Sequence, residues 1–210
     1  MIYYEILNKK RYALLDKLIH FKDYFYLAGG TGLALQIGHR ISEDFDFFTD
    51  EKFNNENLKE EIKVLFPSLQ LTILQDEEDT FTFLLEEKIK FSFFRLSYKN
   101  ILPLIDTKYF KLADIPEIAV MKILALPRAA YKDYVDLFFI LQNNDLSEIF
   151  SLAKRKHSEF NESLYLKCLL SYDDIDLLPI MFMPGVEQPS ERIFEFLKEK
   201  TLEFIKANCL

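Results

Sequence analysis

Thiols are almost absent from this 210-residue chain: Cys168 and Cys209 lie far apart, with no Cys-x-x-Cys spacing. That excludes a disulfide framework or a cysteine-built zinc cluster and suits a reducing compartment. Glycine is nearly as scarce, at five residues, and no repeat, low-complexity tract or Pro/Gly/Ser-rich linker divides the chain. Positive charge is also in deficit, 26 Lys and Arg against 34 Asp and Glu, for a net charge of −8. A broad, sequence-independent grip on nucleic acid needs many cationic contacts to phosphates and is disfavoured, although a local basic patch remains open. Long apolar runs are missing too. The longest uncharged stretch, Tyr24 to Gly38, is too short and glycine-rich to span a membrane. The opening MIYYEILNKKRYALL scatters charges and holds no uninterrupted apolar core, so no signal peptide is expected. These absences together predict a soluble cytoplasmic protein.

What the chain does have is a large apolar inventory: half its residues are hydrophobic, with 21 Phe and 11 Tyr. It can bury one good core, with a helical appendage. The apolar spacing of residues 4–20 predicts an amphipathic helix. YFYLA, Tyr24 to Ala28, reads as a buried strand broken by Gly29-Gly30, and TGLALQIG as a short helix ending at Gly38. DFDFF alternates acid and aromatic at the period of a strand. NENLKEEIKVLF is a further amphipathic helix, stopped by Pro67. LQLTILQ, DTFTFLLE and KIKFSFFRL read as strands, the last two joined as a hairpin at Glu86-Glu87-Lys88. After Pro103 the pattern becomes helical: PEIAVMKILAL, YKDYVDLFFILQN and almost everything to Leu210. The fold class expected is α/β (α+β), with an α/β domain over 1–113 and a helical C-terminal region over 114–210 packed on it.

Four of the five glycines fall in GGTGLALQIGHRISEDFDFF, Gly29 to Phe48, three of them at Gly29, Gly30 and Gly32, and the stretch also holds Asp44 and Asp46. A dinucleotide fingerprint fails, because Leu35 stands where the third glycine belongs, and a Walker loop fails for want of Gly-Lys-Ser/Thr. What remains is a strand, a glycine turn and a helix start, where the Thr31 hydroxyl and the neighbouring N–H groups would face a bound anion. Residues i and i+2 of a strand share a face, so Asp44 and Asp46 present two carboxylates about 7 Å apart along the backbone. A divalent cation would relieve their repulsion, and hard oxygen ligands suit Mg²⁺ held by one or two carboxylates plus phosphates. An EF-hand is excluded, because Phe48 occupies the third ligand position. A solvent-facing acid pair on an edge strand is the bland alternative.

The order Gly-Gly, thirteen residues, then Asp-Phe-Asp-Phe fits the nucleotidyltransferase superfamily pattern. The longer string resembles the AbiEii type of nucleotidyltransferase toxin, matching at His39-Arg40, Ser42, Asp44 and Asp46. Downstream, MKILALPRAAYKDYVDL supplies the Lys, Arg and Lys-Asp…Asp that the resemblance requires: Lys122, Arg128, Lys132, Asp133 and Asp136. By itself, Lys132 with Asp136 is an ordinary i,i+4 helix pair.

The resemblance implies a nucleotidyltransferase-like mixed sheet flanked by helices. It also implies transfer of a nucleoside monophosphate from an NTP to an acceptor hydroxyl, with Mg²⁺ on Asp44 and Asp46. Gly29, Gly30 and Thr31 would cradle the β/γ phosphates, with Ser42 flanking the metal. Arg40, Lys122 and Lys132 would offset the triphosphate charge, and Asp133 would orient a cation or bind the acceptor. His39 would have a positional role at the glycine turn. The implied partners are a cognate antitoxin and an RNA acceptor, tRNA in particular. One departure stands out: in KIKFSFF, Ser92 fills the place where the superfamily usually carries a third carboxylate. An unactivated hydroxyl is no substitute for a base, so base duty would fall to Asp133 or Asp136. Alternatives are a nucleotide-binding module of the same fold with weak or no catalysis, or a small-molecule nucleotidyltransferase of the antibiotic-modifying kind.

Overall fold

The computed structural model describes residues 1–208; Cys209, with Leu210, lies outside them. The chain forms two compact units, Met1–Asp114 and Ile115–Leu210. Among the described residues no helix is long and apolar enough to cross a membrane.

The N-terminal unit is built on seven strands: β1 (Tyr26–Leu27), β2 (Phe45–Thr49), β3 (Leu71–Glu77), β4 (Thr80–Leu85), β5 (Ile89–Arg95), β6 (Ile105–Asp106) and β7 (Lys111–Leu112). They join one mixed sheet in the order β3-β4-β5-β2-β1-β7-β6. β2 runs parallel to β5 and antiparallel to β1, while β1 runs parallel to β7. The register of β2 on β5 sets Phe45 beside Phe91, Asp46 beside Ser92 and Phe47 beside Phe93. Those phenylalanines are buried and stack in pairs, Phe45 on Phe91 at 5.0 Å and Phe47 on Phe93 at 5.2 Å between ring centroids. Such a pair contributes about 0.5–1.5 kcal/mol beyond its buried area. A slip of one residue would drive Asp46 into this core, so the phenylalanine ladder fixes which way the acid points.

Two expectations fail in this unit. Residues 4–20 do not form one helix. They break into a 3₁₀ turn at Tyr4–Ile6, α1 (Lys9–Tyr12), α2 (Leu15–Leu18) and a second 3₁₀ turn at Ile19–Phe21. The cause is Asn8, extended at φ −68°, ψ 166°, whose side chain accepts from Arg11 N–H at 3.0 Å and starts a new helix. The residues after Pro103 are not all helical either, since β6 and β7 extend the sheet beyond β1. By contrast α3 (Gly29–Ile37) ends at a left-handed Gly38, as its sequence predicts, and α4 (Asn55–Leu65), which is capped by Asn54, ends before Pro67. Gln36 of α3 donates to the Ala113 carbonyl at 2.9 Å, tying the helix to the end of β7.

The C-terminal unit contains α5 (Ile115–Ala125), α6 (Tyr131–Ile140), α7 (Leu146–Lys156), α8 (Glu162–Cys168) and α9 (Ser190–Asn208). α9 buries Ile193, Leu197, Thr201 and Phe204, a spacing that lines one helical face. Phe196 meets Phe138 of α6, and Phe204 meets Phe150 of α7, each at 5.0 Å. Residues 170–189 contain no helix, against the expectation of a helical tail. Pro179, Pro184 and Gly185 punctuate the stretch, and Gly185 adopts φ 85°.

Tyr134 of α6 and Tyr172 pack edge to face at 5.9 Å. Burial pushes the Tyr134 phenol up to about 12 and raises that of Tyr172 as well. An unfolded tyrosine ionises near pH 10, so above that pH the unfolded chain binds fewer protons than the folded one and stability falls as pH rises. The C-terminal helices are therefore expected to unfold between pH 10 and 12 with a joint rise in tyrosinate absorbance. Gradual ionisation without loss of helical circular dichroism would contradict this.

Candidate functional site

The N-terminal unit brings the glycine turn, Arg40, Ser42 and both aspartates into one neighbourhood. Ala28 N–H donates to the Asp46 carbonyl at 3.1 Å, which lays the start of α3 against the middle of β2. Gly29 sits at φ 61°, a left-handed conformation that side-chain-bearing residues adopt at a cost. A Cβ there would stand 3.0 Å from Asp46 Oδ2, and one at Gly30 would stand 2.5 Å from an Arg40 guanidinium nitrogen and 3.3 Å from Ser42 Oγ. The glycines thus make room for the side chains of the site itself, a packing reason the sequence does not reveal.

Thr31 is buried, and its hydroxyl points away from solvent. It donates to the Asp44 carbonyl and shares a hydrogen bond with Ser42 Oγ at 2.8 Å. Its side chain therefore fastens the loop before β2 and does not face a bound anion as the sequence suggests. Ala28, the residue before α3, makes no side-chain cap, and the first-turn amides of a helix carry partial positive charge. Arg40 is buried as well and donates to the Ile41 carbonyl at 3.1 Å. His39 is buried beside it in sequence.

The two aspartates differ. Asp46 lies inside β2 and is half-buried, whereas Asp44 precedes the strand with 42% of its side chain exposed. In parallel register Ser92 stands beside Asp46, and Lys90 reaches Asp44 Oδ2 at 3.8 Å. The Ser92 side chain is wholly buried, and its Oγ has no hydrogen-bond partner among the described residues. Two carboxylates, with no third His, Cys, Asp or Glu grouped for a metal among the described residues, fit the minimal Mg²⁺ donor set that phosphates would complete.

Arg11 is a further member that sequence reasoning missed. Its Nε donates to the Glu43 carbonyl at 2.6 Å and its guanidinium reaches the Lys88 carbonyl at 3.3 Å. It clamps the segment before Asp44 to the hairpin before Lys90. No local signal marks it, because its partners lie 32 and 77 residues away.

The C-terminal unit holds the second group. Lys122 Nζ lies 2.8 Å from Asp133 Oδ1 and 2.6 Å from Asp136 Oδ2, and Arg128 Nε donates to Asp133 Oδ2 at 2.7 Å. Both carboxylates are wholly buried, Lys122 nearly so, and Arg128 is half-exposed. The oxygens expected to supply a base are already engaged by cations. Lys132, which the spacing pairs with Asp136, is exposed. Lys156 and Glu117 form another buried ion pair, joining α7 to α5.

A glycine turn opening a helix against an acid-bearing strand of a mixed sheet defines a nucleotidyltransferase-like protein. Residues 13–200 match the family model for the nucleotidyl transferase AbiEii toxin of type IV toxin–antitoxin systems, and the chain belongs to that family. It is similar to uncharacterized protein aq_aa25 of Aquifex aeolicus (strain VF5), with 32% identity over 213 residues covering 95% of this chain and 98% of the relative. The fold resembles that of JHP933 from Helicobacter pylori, with a TM-score of 0.61 at 18% identity over 99% of this chain and 94% of that one. A second H. pylori crystal structure, provisionally described as a nucleotidyltransferase, gives a TM-score of 0.60 at 19% identity over 96% and 97% of the two chains. Family membership implies a nucleotide substrate and a cognate antitoxin.

Proposed function

We propose that the N-terminal unit binds an NTP between the start of α3 and β2. The protein then transfers the nucleoside monophosphate to an acceptor hydroxyl, releasing pyrophosphate, with RNA and tRNA in particular as acceptor. The observation that carries this reading is the closeness of Gly29 to Asp46, where a Cβ would stand 3.0 Å from Oδ2, which sets the start of α3 directly against a carboxylate-bearing strand. The amides of the first turn of α3 would hold phosphate oxygens, and Arg40, seated against Gly30, would neutralise part of their charge. Asp44 and Asp46 would hold Mg²⁺, which when bound neutralises phosphate oxygens and the charge developing at the attacked phosphorus. Thr31, Ser42 and Arg11 keep the loop that delivers the aspartates in place, which is the positioning on which phosphoryl transfer depends. The net charge of −8 confines any RNA contact to local patches.

The test is Mg²⁺-dependent transfer from each α-³²P-labelled NTP to total tRNA, comparing wild type with Asp44→Ala plus Asp46→Ala. Label on RNA that disappears in the double variant supports the reading and names the nucleotide. A second reading, a nucleotide-binding module without turnover, is favoured by Ser92 in the row beside Asp46. It predicts Mg-NTP binding without label on tRNA or on a panel of small cationic acceptors. Gly30→Ala probes the nucleotide contact separately. It should push Arg40 from its seat and raise the Kd for Mg-NTP about tenfold, the worth of one charge-assisted hydrogen bond. Unchanged affinity in a nucleotide titration would detach Arg40 from the phosphates.

A further inference from the structure

β5 turns Lys90, Ser92 and Phe94 to the face that carries the aspartates, and none of them is an acid. Lys90 stands beside Asp44 with its ammonium 3.8 Å from Oδ2, and Ser92 stands beside Asp46. Sites that use two divalent ions to clamp attacking and leaving oxygens need acids enough to hold both. Here the row that would supply a further carboxylate supplies a cation and a neutral hydroxyl. Among the described residues no three acidic or metal-ligating side chains stand together. Ser92 Oγ is wholly buried without a hydrogen-bond partner among those residues. A buried donor left unsatisfied is uncommon and calls for a functional account. The aromatic ladder supplies part of it, because Phe91 and Phe93 on either side lock Ser92 at the one β5 position level with Asp46.

The geometry points to a site that takes a single divalent cation, with the Lys90 ammonium as a built-in counter-charge to Asp44 in place of a second ion. This rests on the nucleotide-site reading and deepens it. Lys90 is a positioning residue. Its side chain is 40% exposed, so it can hold Asp44 when the site is empty and turn to a phosphate oxygen when nucleotide enters. A fixed positive charge at that place opposes a second divalent ion and competes with the first for Asp44. The attraction of two unit charges at this separation in water corresponds to about a fivefold effect on affinity.

Electron paramagnetic resonance of Mn²⁺ measures this without turnover. The full chain is titrated with Mn²⁺ alone and then with Mn²⁺ and a non-transferable α,β-methylene NTP. One Mn²⁺ per chain is expected in the nucleotide complex. Lys90→Gln should tighten Mn²⁺ binding to the nucleotide-free protein about fivefold at low ionic strength, and the gain should fade as salt is raised. Lys90→Gln combined with Ser92→Asp should bind a second Mn²⁺; if burial of the new acid prevents folding, Lys90→Gln alone decides. Two Mn²⁺ in the wild-type complex, or unchanged or weaker Mn²⁺ binding in Lys90→Gln, overturns the inference while leaving the nucleotide site standing. No binding of Mn²⁺ or nucleotide to wild type overturns both.

Discussion

Asp46→Asn is expected to lower nucleotidyl transfer about a thousandfold while leaving the melting temperature within a few degrees of wild type. A metal-held charge contributes several kcal/mol to a phosphoryl transition state, and each 1.36 kcal/mol is tenfold in rate. The amide keeps the shape of the carboxylate and loses the charge, so the space against Gly29 stays filled. Asp44→Asn should cost less, because Asp44 precedes the strand, is partly exposed and already shares its charge with Lys90. Single-turnover rates with saturating Mg-NTP provide the comparison. Retention of more than a tenth of wild-type activity in Asp46→Asn, or a larger loss in Asp44→Asn, would remove Asp46 from the centre of the site.

Lys122→Met is expected to destabilise the C-terminal unit by about 3–5 kcal/mol near neutral pH, the usual cost of leaving a buried charge uncompensated. Lys122 is the cation between Asp133 and Asp136, and both acids are wholly buried. Arg128 compensates only Asp133, from a half-exposed position. Urea unfolding of the C-terminal helices near neutral pH reads the size of the loss. Lys132→Ala is the control: an exposed side chain on the same helix should change stability by no more than about 0.5 kcal/mol. Equal effects of the two substitutions would show that the cluster does not hold the unit together.

The glycine turn, α3 and the strand carrying Asp46 were legible because their signals are local: a turn residue, a period of two, a helix stop at Gly38; the place of Ser92 came from the family resemblance. KIKFSFF alone says that Lys90 and Ser92 share a face opposite Phe91 and Phe93. It does not say that this strand pairs in parallel with β2, so the approach of Lys90 to Asp44 is a fact of tertiary structure. The short strands β6 and β7 have no period to read at two residues each. The opening segment misleads because its apolar spacing suits a helix while Asn8 restarts one within it. Arg11 carries the same lesson, a surface-type residue in sequence that is buried by carbonyls distant along the chain. In the second group, spacing suggested a Lys132–Asp136 pair, whereas Lys122 from the preceding helix binds Asp136.

The pairing of β2 with β5 also sets an order of events during synthesis. A nascent chain ending before Ile89 already contains the glycine turn and both aspartates, but not the strand whose Phe91 and Phe93 fix the direction of Asp46. Contacts this far apart in sequence form late, because the intervening chain must first be closed into a loop. The aspartate-bearing face is therefore assembled only after the β4–β5 hairpin has left the ribosome and swung β5 against β2. Fragments released early would carry the motif in their sequence without the strand that sets its aspartates in place.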